Sequence, residues 1–94
     1  MTLNIKFVGA LRHISGVGQF EVECAKTWKL NDLICYIIEK MPLLERSLLD
    51  KEFEDPQPTA IILVNGREIS VLNGLATSLK DGDEVVFVPV VHGG

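Results

Sequence analysis

Cysteine is scarce: Cys24 and Cys35 are the two in a chain of 94 residues. Two cysteines cannot staple a small secreted scaffold. The expectation is a cytoplasmic protein with reduced thiols. Basic charge is also short, since nine Lys and Arg stand against thirteen Asp and Glu, for a formal net charge of −4. Such a chain lacks the electrostatic footprint that phosphate backbones demand, so no nucleic-acid partner is expected. A basic protein surface is the complementary alternative. Long apolar runs are missing. A run such as Ala60-Ile61-Ile62-Leu63-Val64 falls far short of a bilayer, so no membrane association is expected. The opening Met1-Thr2-Leu3-Asn4-Ile5-Lys6 turns polar before a signal-peptide core can form.

Chemical motifs are equally sparse. Gly16-Val17-Gly18 lacks the helix and the lysine of a phosphate-cradling loop. Cys24 and Cys35 have no metal-ligand spacing, and His13 and His92 do not repair it. Asp81, Asp83 and Glu84 miss the calcium-loop pattern, so a solvated turn is expected there. No metal and no bound cofactor are expected. What remains is a normal globular balance, 47% apolar and 23% charged. At this size one modest core forms, without a deep substrate cavity.

Hydrophobic periodicity supplies the elements. Leu3, Ile5 and Phe7 alternate with polar residues and predict a strand ending at Gly9. A short turn of helix over residues 10–14 leads to a second strand, with Phe20, Val22 and Cys24 inward and Glu21 and Glu23 outward. Strands joined this closely should be antiparallel neighbours. Leu30, Leu33, Ile34, Ile37, Ile38 and Met41 form one helical stripe, ended by Pro42. Trp28 should pack where this helix begins. Cys24 reads as a packing residue, and Cys35 as a partly buried residue at the stripe's edge. A second short helix over residues 43–49 and an exposed acidic loop over residues 50–58 follow.

Residues 60–64 are apolar on both faces, which predicts a central, covered strand. Asn65-Gly66 is a hairpin dipeptide, because that turn needs positive φ at both positions. Asp81-Gly82-Asp83 turns the chain into a last strand over residues 84–88, where pairing should stop at Pro89. The expected fold class is α+β in two layers.

The closing segment carries a resemblance. Asp81-Gly82-Asp83-Glu84-Val85, Phe87-Val88-Pro89 and a final His92-Gly93-Gly94 resemble the ubiquitin-like sulfur carriers of the β-grasp fold. Ala10-Leu11-Arg12, Pro42-Leu43-Leu44 and Val64-Asn65-Gly66-Arg67 extend the likeness over nearly the whole chain. It is nearest to the small subunit of molybdopterin synthase. The residues before the glycines depart from it: one Pro89 precedes Val90-Val91-His92, and a histidine there is more typical of the ubiquitin-related modifier. The resemblance implies a mixed sheet of four to five strands on one main helix, spanning residues 1–89, with a tail over residues 90–94. It implies that an adenylating enzyme related to ubiquitin activators uses ATP to activate Gly94, and that a sulfur donor then leaves a thiocarboxylate. The synthase large subunit would receive the sulfur. The alternative outcome is conjugation to target-protein lysines, or sulfur delivery for tRNA thiolation.

The residues support such chemistry independently. Five residues beyond Pro89 reach about 16–18 Å when extended, enough to thread into another protein's site. Gly93 and Gly94 lack Cβ and pass where side chains cannot. The Gly94 α-carboxylate is ionised at neutral pH and is a nucleophile toward phosphorus. The chain would supply the reactive atom, and its partners the catalytic groups. Pro89, Val90, Val91, His92 and Gly93 are candidate partner contacts. His92 reads as a spacer or orienting contact rather than a general base, because no Asp or Ser lies beside it in sequence. Val86 and Val88 should face away from Val85 and Phe87. That leaves them either as part of a docking patch or as residues covered by the fold.

Overall fold

The computed structural model describes residues 1–52 and 54–90. Phe53 and the tail candidates Val91, His92, Gly93 and Gly94 lie outside the described residues. The chain runs β1 (Thr2–Phe7), α1 (Ala10–Ser15), β2 (Gln19–Glu23) and α2 (Leu30–Lys40). A 3-10 turn (Pro42–Leu44) and α3 (Glu45–Leu48) follow. Then come β3 (Leu49–Asp50), β4 (Gln57–Pro58), β5 (Ala60–Val64), β6 (Arg67–Glu68), two further 3-10 turns and β7 (Glu84–Pro89).

Five strands form one mixed sheet in the order β2-β1-β7-β5-β6. β1 and β2 are antiparallel neighbours as expected, with Leu3 opposite Val22 and Ile5 opposite Phe20. The last strand lies in the middle. It pairs parallel to β1, Ile5 opposite Val85 and Phe7 opposite Phe87, and antiparallel to β5, Ile62 opposite Phe87.

The inner face of this sheet and the apolar stripe of α2 make the core. Leu3, Ile5, Ile62, Val85, Phe87, Leu30, Leu33 and Ile34 are fully buried. Ile38 and Met41 are half-buried at its margin. Phe7 stands between Phe20 and Phe87, with tilted rings at centroid distances of 5.4 and 5.6 Å. Tilted aromatic contacts of this kind add to the stabilisation from burial alone.

Local chemistry fixes the ends of the elements. Asp32 in the first turn of α2 accepts the Lys29 N–H at 2.8 Å, and Lys40 sits in the last turn, both favourable to the helix dipole. Trp28 packs where the helix begins, 5.6 Å from the Tyr36 ring. Asn65 and Gly66 take φ of 51° and 82°, the left-handed pair that a two-residue hairpin requires. The Asp81–Asp83 segment is a turn held by its own carboxylates. Asp81 Oδ1 accepts the Thr2 N–H at 2.7 Å, and Asp83 accepts from Lys80 N and Asn65 Nδ2, both at 2.8 Å.

Three expectations need correction. β5 is not covered on both faces: Ala60, Ile62 and Val64 are buried, but Ile61 is 42% exposed and Leu63 half-buried. The helices lie on one side of the sheet, so an apolar residue of the other parity meets solvent. Cys35 is exposed rather than partly buried, because it turns away from the Leu33, Ile34 and Ile37 stripe. The 50–58 loop is pinched at its base, where Leu49 and Asp50 pair with Pro58 and Gln57.

Truncating the helix stripe tests the two-layer core. Leu33→Ala should lower unfolding free energy by about 2–5 kcal/mol, read from denaturant titration followed by circular dichroism. A loss under about 1 kcal/mol would show that α2 contributes little to the core.

Candidate functional site at the end of the last strand

The tail candidates follow β7 in sequence, so the site is built from that strand and its neighbours. Val85 and Phe87 point into the core with no exposed surface. Val86 and Val88 therefore point to the opposite face, where both are half-buried. Register sets their neighbours. Val86 lies between Lys6 and Leu63, and Val88 lies opposite Ile61. Val8 follows β1 in the same parity, is 38% exposed, and donates its N–H to Phe87 O at 3.2 Å. The outcome is an apolar strip of Val8, Ile61, Leu63, Val86 and Val88 on the helix-free face. The sequence reading reached Val86 and Val88 but missed the other three. The unbroken apolar run through residues 60–64 was the signal for Ile61 and Leu63, attributed there to burial on both sides.

The root of the tail is held firmly. Pro89 belongs to the strand and forms the last register pair, with Ala60. Lacking an N–H it ends the ladder there, as expected. Beside it lies Gly9, at φ 57° and ψ −134°, a conformation reserved for glycine. A Cβ on Gly9 would stand 3.2 Å from the Pro89 ring carbon Cγ. Gly9 thus lets the β1–α1 corner close against Pro89, and Val90 emerges 42% exposed from that junction.

Other candidates fall away from this site. The main surface hollow, lined by Glu45, Arg46, Asp50, Lys51, Glu52 and Thr59, is a solvated charged surface and includes no residue of β7. Its Glu45–Lys51 ion pair is exposed. Asp81 and Asp83 spend their carboxylates on the turn, and Glu84 pairs with Lys6 at 3.0 Å. Among the described residues no group of three His, Cys, Asp or Glu side chains is placed to hold a metal. His13 is exposed in the last turn of α1. Both cysteines are free thiols. Burial pushes the Cys24 thiol above its ordinary range, the N-terminal ammonium opposes that shift, and Glu23 adds to it.

Over residues 2–94 the chain matches the family described as Urm1 (Ubiquitin related modifier). It belongs to that family. It is 32% identical to small archaeal modifier protein 3 of Haloferax volcanii, over the full length of both chains. An Archaeoglobus fulgidus protein provisionally named as a sulfur carrier is 34% identical over 77 residues, 82% of this chain and 85% of that one. A Pyrococcus furiosus structure provisionally titled molybdopterin converting factor, subunit 1, superposes with a TM-score of 0.78 at 27% identity, covering 97% and 99% of the two chains. The five-stranded mixed sheet on its helices is the ubiquitin-like β-grasp arrangement, and the chain is a small ubiquitin-like protein of the modifier and sulfur-carrier kind. No helix among the described residues is long and apolar enough to cross a membrane.

Two outcomes test the site's geometry. Gly9→Ala should cost about 1–3 kcal/mol of stability through the strained backbone and the Pro89 contact; an unchanged melting temperature would contradict the close seat. In a thiol-titration time course, Cys35 should react at once and Cys24 should lag. The raised Cys24 pKa keeps that thiol protonated as pH rises through the ordinary thiol range, so the lag should shrink at still higher pH and on unfolding. Equal rates in the folded protein would contradict the placement.

Proposed function

We propose that this chain is a sulfur carrier whose Gly94 carboxylate is adenylated and then converted to a thiocarboxylate, acting as the small subunit of a molybdopterin synthase. The supporting observation is the apolar strip of Val8, Ile61, Leu63, Val86 and Val88, set beside the residue from which the tail departs. A strip of this kind suits a partner that must hold the domain while reading its end. It supports reading Val86 and Val88 as docking residues, to which the proposal adds Pro89, Val90, Val91, His92 and Gly93.

The chemistry is carried by partners. An adenylating enzyme related to ubiquitin activators binds ATP. A Gly94 carboxylate oxygen attacks the α-phosphorus, the bond to the leaving pyrophosphate breaks, and an acyl-adenylate forms. A hydrosulfide-level sulfur donor then attacks the carbonyl carbon. AMP departs with its electron pair, a proton is released, and a thiocarboxylate remains. No group in the chain need act as acid or base. Its work is to present a narrow end at the reach of five residues, about 16–18 Å. In this scheme the chain has no resident cofactor and works in the cytoplasm. The Pyrococcus furiosus neighbour supports the synthase as the acceptor of sulfur.

A second reading shares the adenylate and differs in the acceptor: target-protein lysines, or an enzyme of tRNA thiolation. The family match, the Haloferax volcanii relative and His92 before Gly-Gly favour it.

Intact-mass spectrometry after incubation with the activating enzyme, ATP and a sulfide source should show one oxygen exchanged for sulfur at the carboxyl terminus. An unchanged mass beside an active enzyme would falsify the proposal. Adding one residue after Gly94 should abolish the exchange without altering the melting curve. Val88→Asp should weaken activation about tenfold or more by placing a charge in the docking strip.

A further inference from the structure

Two of the four asparagines, Asn65 and Asn73, precede glycine. In an Asn-Gly dipeptide the following main-chain nitrogen approaches the side-chain carbonyl with little obstruction, because glycine has no Cβ. Both asparagines are exposed, so water reaches each of them. What holds the two amides differs.

Asn65 is tied on both sides of its amide. Its Nδ2 donates to Asp83 Oδ1 at 2.8 Å, its Oδ1 accepts the Glu84 N–H at 2.9 Å, and its own N–H donates to Glu84 O at 2.8 Å. The preceding Val64 pairs with Arg67 on one side and Val85 on the other. Rotating the Asn65 peptide therefore disturbs β5, β6 and the central strand together. Asn73 opens the 3-10 turn Gly74–Ala76 at ψ 28°, and its side chain makes no capping hydrogen bond to that turn. The turn is held locally. Asn73 O accepts the Ala76 N–H at 3.0 Å, and the Thr77 hydroxyl donates to Gly74 O at 2.7 Å while accepting the Asn73 N–H at 3.1 Å. Opening a surface turn of this kind needs less free energy than opening a sheet.

We propose that Asn73-Gly74 is a site of spontaneous deamidation in the folded protein, and that the contacts to Asp83 and Glu84 hold Asn65-Gly66 against the same reaction. The Gly74 nitrogen gives its proton to solvent and attacks Asn73 Cγ. A new C–N bond closes a five-membered succinimide, the bond from Cγ to Nδ2 breaks, and Nδ2 leaves as ammonia after taking a proton from solvent. Water then opens the ring. Attack at the side-chain carbonyl yields aspartate; attack at the main-chain carbonyl yields isoaspartate, whose backbone runs through Cβ. The net change consumes one water and releases one ammonia, with no oxidant or reductant. The turn also anchors α2: Thr77 O accepts the Leu30 N–H at 2.9 Å, and the Leu79 N–H donates to Trp28 O at 3.2 Å. Leu72 and Leu75 flank the site and pack against the core. The extra backbone carbon of isoaspartate moves the residue 73 carbonyl away from the Ala76 N–H and loosens that anchor, so the modified chain melts at a lower temperature.

The test incubates the folded chain at mildly alkaline pH in isotopically heavy water, followed by tryptic digestion and mass spectrometry. Cleavage at Arg67 and Lys80 places Asn65 and Asn73 in separate peptides. The Asn73 peptide should take up heavy oxygen about tenfold or more faster than the Asn65 peptide, the ratio that two net hydrogen bonds supply. In denaturant, where both sites are plain Asn-Gly, the two rates should converge. Asp83→Ala should speed labelling at Asn65 and leave Asn73 unaltered. Asn73→Ser should remove that label and keep its initial melting curve through an incubation that lowers the wild-type curve. Comparable rates in the folded chain, faster labelling at Asn65, or the same ratio in denaturant as in the folded state overturn the inference. The wild-type comparison decides it even where Asp83→Ala fails to fold.

Discussion

The parallel pairing of β1 with β7 is the constraint on which the molecule depends. It brings the two ends of the chain side by side, with Ile5 against Val85 and Phe7 against Phe87, and makes the last strand the middle of the sheet. A strand paired on both edges and buried on its inner face cannot fray without disturbing β1 and β5 together. The exit point of the tail therefore inherits the rigidity of the whole core. Phe7 and Phe87 are the packing expression of that pairing, and Gly9 against Pro89 is its geometric end.

The two-layer architecture also explains why so short a chain leaves one apolar sheet face open. With every helix on one side, the sheet must leave its other face to solvent. Apolar residues of that parity find no internal partner. Val8, Ile61, Leu63, Val86 and Val88 are what an unfinished third layer looks like. The acids toward the opposite end of the same face keep its apolar area small. They also limit edge-to-edge association at β2, where Glu21 and Glu23 stand on an edge strand.

Membership of the ubiquitin related modifier family agrees with this division of labour. The site is not a pocket. Among the described residues no group of three His, Cys, Asp or Glu side chains is placed to hold a metal, and the hollow lined by Glu45, Arg46, Leu49, Asp50, Lys51, Glu52 and Thr59 includes no residue of β7. In the reading proposed above, the reactive group is the Gly94 carboxylate, and partners rather than neighbouring side chains decide whether it carries sulfur or joins a lysine.

Much of this was legible in the sequence because the signals were local. Alternation in residues 3–7 marked β1, the Leu30–Ile37 spacing marked α2, and Asn65-Gly66 marked its hairpin, each through sterics within a few residues. Even the outward parity of Val86 and Val88 followed from the twofold repeat of a strand. Local pattern could not say how many layers the sheet would have. It therefore assigned Ile61 and Leu63 to a covered strand and Cys35 to a buried edge. Nor could it bring β1 and β7 together across most of the chain length, or set Gly9 against Pro89. Those contacts join residues far apart in sequence, and only the packing of one closed core determines which pairs meet and which face is left bare.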